Sequence, residues 1–422
     1  MFRVFEVRPD GVLLHPLLCE QHALLLVGGY TRKCAESKRI LAEIRPAPFT
    51  VACIATCTGS DLAFVFLREP DGTYFLFEMG RLEAWMLGVT LTRHATKNRP
   101  LVHQSIVQIA HALGGAVREV VIDQSDTLEY RAVVQIVRRI DSVAVTMRAS
   151  DGIALALACG ASLHVAAHLI AKSTWRAQRS TVLEELKRAE RDGFQAFEAR
   201  DTFITGVQQM SPRYTKCDVG KCAGIGEFRI FQYYEEDTFV HLVLCDRHAR
   251  PIIERYRGEC VQSPALPSAR SSVACKVGCI ATRDGSDVSA IYLRGVDAQC
   301  LLFMSGTLEG WMLLNLRTLS PEFRPLTHES MAAIIRVLDG TLREVVLDSV
   351  EPDGYRATLH ILQAGRALSI EVPTVDGVAL AAATGAPLHV TSELIRENLL
   401  CTGRLDVVER MKMAAPMLGD GT

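Results

Sequence analysis

The sequence predicts an α+β fold, built twice in tandem. The duplication is one observation behind this. Phe2-Arg3-Val4-Phe5 returns as Phe228-Arg229-Ile230-Phe231, and Leu82-Glu83-Ala84-Trp85-Met86-Leu87 returns as Leu308-Glu309-Gly310-Trp311-Met312-Leu313, each 226 residues later. Arg99-Pro100-Leu101-Val102-His103 meets Arg324-Pro325-Leu326-Thr327-His328 at a spacing of 225, as Asp151-Gly152-Ile153-Ala154 meets Asp376-Gly377-Val378-Ala379. The other observation is the order of periodicities inside one copy. It runs strands, two helices, three strands and a helix, which is not the strict alternation of a doubly wound parallel sheet.

Taken in order, Val51 to Ile54 and Ala63 to Leu67 are short apolar strands, and Tyr74 to Phe77 follows the Pro70-Asp71-Gly72 turn signal as a hairpin partner. Arg81 to Leu91 and Ser105 to Leu113 place apolar residues at helical spacing, the second stopping at Gly114-Gly115. Val117 to Asp123, Glu129 to Val137 and Val143 to Arg148 alternate like an antiparallel meander. Ser150-Asp151 then reads as the cap of a helix through Cys159, ended by Gly160. The expected organisation is a short β-like element over 1–25, a first large domain over 49–172, a charged helical connector over 173–214, a small module over 215–255, a loop from Gly258 to Ser272, a second large domain over 273–397 and a loose tail over 398–422.

Composition limits the function classes. With 49% hydrophobic and 22% charged residues in 422, the chain reads as globular and multi-domain. A formal charge of −2 gives no overall basic face for duplex wrapping, so any nucleic-acid contact must be local. No apolar run of ~18 residues suggests a membrane span, and the start Met1-Phe2-Arg3-Val4 does not read as a secretory signal. An odd count of 13 Cys without an export signal favours reduced thiols in a cytoplasmic protein over a disulfide framework.

Three ordered motifs carry a family resemblance. They are Phe77-Glu78-Met79-Gly80-Arg81-Leu82-Glu83-Ala84, Arg99-Pro100-Leu101-Val102-His103 and Met147-Arg148-Ala149-Ser150-Asp151-Gly152-Ile153-Ala154-Leu155-Ala156. In these the chain resembles the bifunctional nuclease (BFN) domain family, whose pattern is Ile-Gly-x-x-Glu-Ala, then Arg-Pro-x-Thr-His-Asp, then Asp-x-Arg-Pro-Ser-Asp-Ala-Ile-Ala-Leu-Ala. The resemblance implies an α+β domain that tends to oligomerise and cleaves DNA and RNA. It also implies that the two copies form an intramolecular pseudo-dimer, with further homo-oligomers open. The copies depart from the pattern at different places. The first has Val102 for the Thr, whereas the second keeps Thr327 and His328 but reads Pro373-Thr374-Val375-Asp376-Gly377, without the Arg or the Ser.

Phosphodiester hydrolysis needs an activated water, relief of charge on the phosphoryl oxygens and a proton for the leaving oxygen. Glu83, His103, Asp123 and Asp151 are suitable types for water activation or for Mg²⁺ or Mn²⁺, and Arg99 or Arg148 could clamp a phosphate. Their counterparts are Glu309, His328, Asp348, Asp376 and Arg324. Structural roles account for the same residues. Asp151 and Asp376 stand where helices begin, His103 precedes a helix, and Glu83 could pair with an Arg. Arg118-Glu119 and Tyr130-Arg131 alternate along strands and read as a solvated sheet face.

A second constellation is Cys217-x4-Cys222 followed by Cys245-x2-His248. Two close pairs of soft or borderline ligands suit tetrahedral Zn²⁺ in a zinc-ribbon-like module, with a structural role because four protein ligands leave no open position. The first copy keeps only Cys19 and His22, which reads as a partial or degenerate half-site. Two functions stay open on these residues: a nuclease with at least one active copy, and a non-catalytic regulatory protein that binds protein or nucleic acid through worn domains and a zinc module.

Overall fold

A computed structural model describes residues 2–36, 48–93, 102–170, 215–306, 326–402 and 405–413, less short segments within these ranges, and scattered residues between 309 and 316. Arg99, Arg324 and the connector expected over 173–214 lie outside the described residues. The chain divides into two compact units, residues 1–211 with 320–338, and residues 212–319 with 339–422.

Unit 1 opens with β1 (Phe2–Val7), β2 (Leu13–Leu14), β3 (Leu17–Leu18) and α1 (Glu20–Glu36). Then come β4 (Thr50–Cys57), β5 (Leu62–Arg68), β6 (Tyr74–Gly80), α2 (Arg81–Arg93) and α3 (Val102–Ala112). The meander is β7 (Ala116–Gln124), β8 (Tyr130–Val137) and β9 (Ser142–Arg148), followed by α4 (Ala149–Cys159) and β10 (Ser162–Val165). One sheet has the order β2-β1-β4-β5-β6, with β3 also on β1, and the other the order β10-β7-β8-β9. All ladders are antiparallel except β10 on β7, which places the chain leaving α4 beside the start of the meander. The helix Thr327–Val337 of the second repeat also belongs to this unit, where it packs on α3 and β9.

α4 lies flat on β7 and β8 because Gly152 lets it. A Cβ there would run into the Ala132 Cβ and reach 3.0 Å from Val120 Cγ1. The second repeat solves the same problem with Gly377 against Ala357 and Val345.

Unit 2 begins with β11 (Thr215–Lys216), β12 (Ile225–Gly226), β13 (Phe228–Tyr233), β14 (Phe239–Leu244) and α5 (Asp246–Val261). It continues with β15 (Ser272–Arg283), β16 (Val288–Gly295) and β17 (Cys300–Gly306). The helix Thr327–Val337 is α6 in chain order; after it come β18 (Gly340–Glu351), β19 (Gly354–Gln363), β20 (Arg366–Pro373), α7 (Thr374–Thr384) and β21 (Leu388–Thr391). Two helices close it, α8 (Ser392–Thr402) and α9 (Val407–Met413). The sheet order is β14-β13-β15-β21-β18-β19-β20, with β16 and β17 branching from β15.

Several expectations change. The stretch 1–25 is not a separate element: β1 pairs with β4, and the Cys19-x-x-His22 pair sits at the start of α1. The module over 215–255 likewise shares a sheet with the domain that follows, through β13 on β15. Gly258 to Val261, expected in a loop, are helical, since α5 runs to Val261 with Cys260 buried; residues 263–271 of that stretch lie outside the described residues. The tail expected over 398–422 holds the end of α8 and all of α9, whose Val407, Val408 and Met411 are buried in the unit 2 core. Cys260 and Cys300 form a disulfide, where reduced thiols were expected throughout.

Candidate functional site

Four of the six candidates of the first copy, Glu83, His103, Arg148 and Asp151, converge at one end of α4. Arg148, at the N-cap of α4, carries no side-chain capping bond. Its Nε donates to Asp151 Oδ2 at 3.0 Å, its Nη1 to Glu83 Oε1 at 3.0 Å and its Nη2 to Thr327 Oγ1 at 3.1 Å. Asp151 therefore turns away from the cap role its position predicts. Its Oδ1 accepts from Thr327 Oγ1 at 2.8 Å and lies 3.2 Å from His103 Nε2. Glu83 reaches the group from the first turn of α2, His103 from α3 and Thr327 from α6.

Charge and burial set the character of this group. The Asp151 and His103 side chains are 3% and 2% exposed, whereas Arg148 and Glu83 keep 21% and 20%. Burial alone would raise the Asp151 carboxyl. The Arg148 guanidinium, with the hydrogen bond and charge of His103, more than offsets it and holds Asp151 well below the usual carboxylate range. Desolvation works against the charge on Arg148, yet the carboxylates of Asp151 and Glu83 outweigh it and shift the guanidinium further up.

Two buried polar atoms of the group make no hydrogen bond among the described residues, Glu83 Oε2 and His103 Nδ1. Arg148 uses three of the five N–H donors of a guanidinium, so it retains donors toward its exposed face.

The other candidates are placed elsewhere. Asp123 is half exposed and lies 3.4 Å from His168 Nε2. Asp348 accepts from Thr358 Oγ1 at 2.6 Å. In the second repeat His328 and Asp376 are buried, and Glu309 is helical with its carboxylate folded over Gly306, as Glu83 folds over Gly80. Thr327 stands out in the sequence only as a motif match; its spacing gives no sign that its hydroxyl meets Asp151, 176 residues away.

A divalent cation does not fit the Arg148 group as arranged. Both Asp151 oxygens and Glu83 Oε1 are taken, which leaves Glu83 Oε2 as the one unengaged carboxylate oxygen. Magnesium sites use carboxylates that are free to meet the ion.

Cys217, Cys222, Cys245 and His248 could hold a metal ion: their ligand atoms all lie within 4.8 Å of one another. Cys217 Sγ and Cys245 Sγ are each 3.3 Å from His248 Nδ1, and Cys222 Sγ is 3.9 Å from Cys245 Sγ. A tetrahedron with metal–S of about 2.3 Å and metal–N of about 2.05 Å has edges of about 3.8 Å and about 3.6 Å, and these three distances lie within about 0.3 Å of such edges. The β11–β12 hairpin presents the first pair, closed by Cys217 N–H donating to Gly224 O at 3.1 Å. Cys245 is the N-cap of α5, which puts His248 in its first turn, where helix amides favour thiolate. Burial pushes the Cys217 thiol up, but hydrogen bonds from the Cys245 and Val219 backbone and the His248 ring bring it down to about 7. Cys19 Sγ lies 3.0 Å from His22 Nδ1 in an exposed pair, and Cys34 is buried in the unit 1 core. Among the described residues no other group of three or more ligands gathers.

No described helix is long and apolar enough to cross a membrane. Compared with known families, residues 65–178 and 309–401 match the model described as the bifunctional nuclease domain. The first match spans Glu83, His103, Arg148 and Asp151, and the second spans Thr327. No curated protein matches the chain.

Proposed function

The chain carries two copies of the bifunctional nuclease domain, over residues 65–178 and 309–401, and from that premise we propose that it hydrolyses phosphodiesters of RNA or DNA at the Arg148–Glu83 face of unit 1. The observation that carries this reading is a guanidinium with unused donors beside a carboxylate oxygen without a partner. A non-bridging phosphoryl oxygen accepts from the free N–H groups of Arg148. The Glu83 carboxylate, 20% exposed as a side chain, takes a proton from water as that water's oxygen bonds to phosphorus. The phosphorus–oxygen bond to the leaving group breaks, and the same carboxyl returns the proton to that oxygen. Asp151 and His103 orient Arg148 from behind and do not touch the substrate. Zn²⁺ at Cys217, Cys222, Cys245 and His248 gives the β11–β12 hairpin the support that its few apolar residues do not.

The test is cleavage of end-labelled single-stranded RNA and DNA by the full chain, with Mg²⁺ or Mn²⁺ added or with neither, beside Arg148→Lys. Cleavage that drops at least tenfold in Arg148→Lys is expected, since lysine keeps the charge but not the fork. One observation favours a second reading, a regulatory protein that binds protein or nucleic acid without cutting it: Asp151 and His103 are sealed from solvent. A folded, zinc-loaded chain that leaves both substrates intact would support that reading.

A further inference from the structure

The two repeats are incomplete at complementary positions. The first has Arg148 but carries Val102 where the second has Thr327; the second has Thr327 but carries Pro373 where the first has Arg148. Read one repeat at a time, neither holds a full set. Unit 1 brings the retained halves together. The Thr327 hydroxyl donates to Asp151 Oδ1 at 2.8 Å and accepts from Arg148 Nη2 at 3.1 Å, with the residue 3% exposed.

Only a hydroxyl can serve both neighbours at once, because it carries a donor and acceptor lone pairs on one atom. Valine, the residue at the matching position of the first repeat, has the same shape and neither function. With valine here, one Arg148 N–H and one Asp151 lone pair would lose their partner in a buried place, and the guanidinium would be free to turn away from Glu83. The α6 backbone is held at both ends. Glu329 Oε2 accepts the Leu326 N–H at 2.7 Å, and Arg138 Nη1 donates to Val337 O at 3.3 Å at the other end.

We propose that the chain builds one complete site, not two, and that Thr327 of the second repeat is the positioning residue that holds Arg148 and Asp151 of the first repeat in register with Glu83. The second repeat then serves the site by lending a helix. This rests on the nuclease reading for its catalytic meaning, but the composite geometry can be tested apart from it.

The experiment compares Thr327→Val and Thr327→Ser in the full chain, each confirmed folded by circular dichroism, in cleavage of labelled single-stranded RNA and DNA. Thr327→Val is expected to lower kcat about 10- to 100-fold with KM within about threefold, the scale of a misplaced catalytic group. Thr327→Ser, which restores the hydroxyl, is expected to return kcat to within about threefold of wild type. Thr327→Val at wild-type kcat, or Thr327→Ser as slow as Thr327→Val, would overturn the assignment. If the wild-type chain cuts neither substrate, the nuclease reading fails, and urea midpoints of Thr327→Val, Arg148→Met and the double variant decide the composite site. A double-variant shift smaller than the sum of the single shifts supports it; additive shifts overturn it.

Discussion

Arg148→Met removes the cation that faces both Asp151 and Glu83 in unit 1. The substitution keeps the aliphatic stem and deletes three charge-assisted hydrogen bonds of 3.0, 3.0 and 3.1 Å. Breaking a buried ion pair by removing one partner costs about 3–5 kcal/mol. Asp151 retains Thr327 and His103, and Glu83 is 20% exposed and can recruit water, so the lower end applies, about 3 kcal/mol. At roughly 2–4 °C per kcal/mol for a unit of this size, the melting temperature should fall by about 6–12 °C. The loss should depend on pH. In the wild type Asp151 titrates below its unfolded value of about 3.9, so its contribution is full above that value and is lost as pH falls toward the lower folded one. Without Arg148, burial raises the carboxyl instead, and protonation relieves the variant. The gap between the two proteins should therefore be widest near neutral pH, should begin to narrow above about 4 as the variant's raised carboxyl takes up its proton, and should narrow further below about 4 as the wild type loses its own contribution. Urea unfolding at several pH values measures it. A gap under about 0.5 kcal/mol at neutral pH, or one that does not change with pH, would refute a buried charge network here.

Other consequences follow from the same geometry. Metal analysis should find one zinc per chain, Cys222→Ser should lose most of it, and a strong chelator should lower the melting temperature of the wild type but not of that variant. Gly152→Val should cost about 1–3 kcal/mol in urea unfolding, because the added atoms meet Ala132 and Val120 beneath α4. An unchanged midpoint would mean that α4 is not seated on the meander as described.

The order of strands and helices was legible because the two repeats use strong periodicities. Alternation in β7, β8 and β9 and the apolar spacing of α3 leave little choice. β10 escaped because four residues after a helix carry too little pattern, and its parallel pairing is a tertiary choice. α1 was hidden differently. Ala23, Val27, Tyr30 and Cys34 have helical spacing and are buried, but Cys19 and His22 drew the segment toward a metal hairpin. At the C-terminus the Val407, Val408 and Met411 face was masked by the Gly-rich end beside it. Of the candidate site, the residue types were legible and the partnership was not. Asp151 stands where a capping carboxylate would, and only the folded chain shows that Arg148 and Thr327 claim it.

The measurement that bears most directly on the nuclease assignment is the single-turnover cleavage rate of labelled single-stranded RNA and DNA by the wild type and by Glu83→Gln, both loaded with zinc and shown to melt alike. Glutamine keeps the shape of Glu83 and cannot take the proton from water. Cleavage by the wild type that falls at least about a hundredfold in Glu83→Gln is the expected result, the scale of a lost general base. Equal rates in the two proteins, or no cleavage by either, would contradict a phosphodiesterase centred on Glu83 and Arg148.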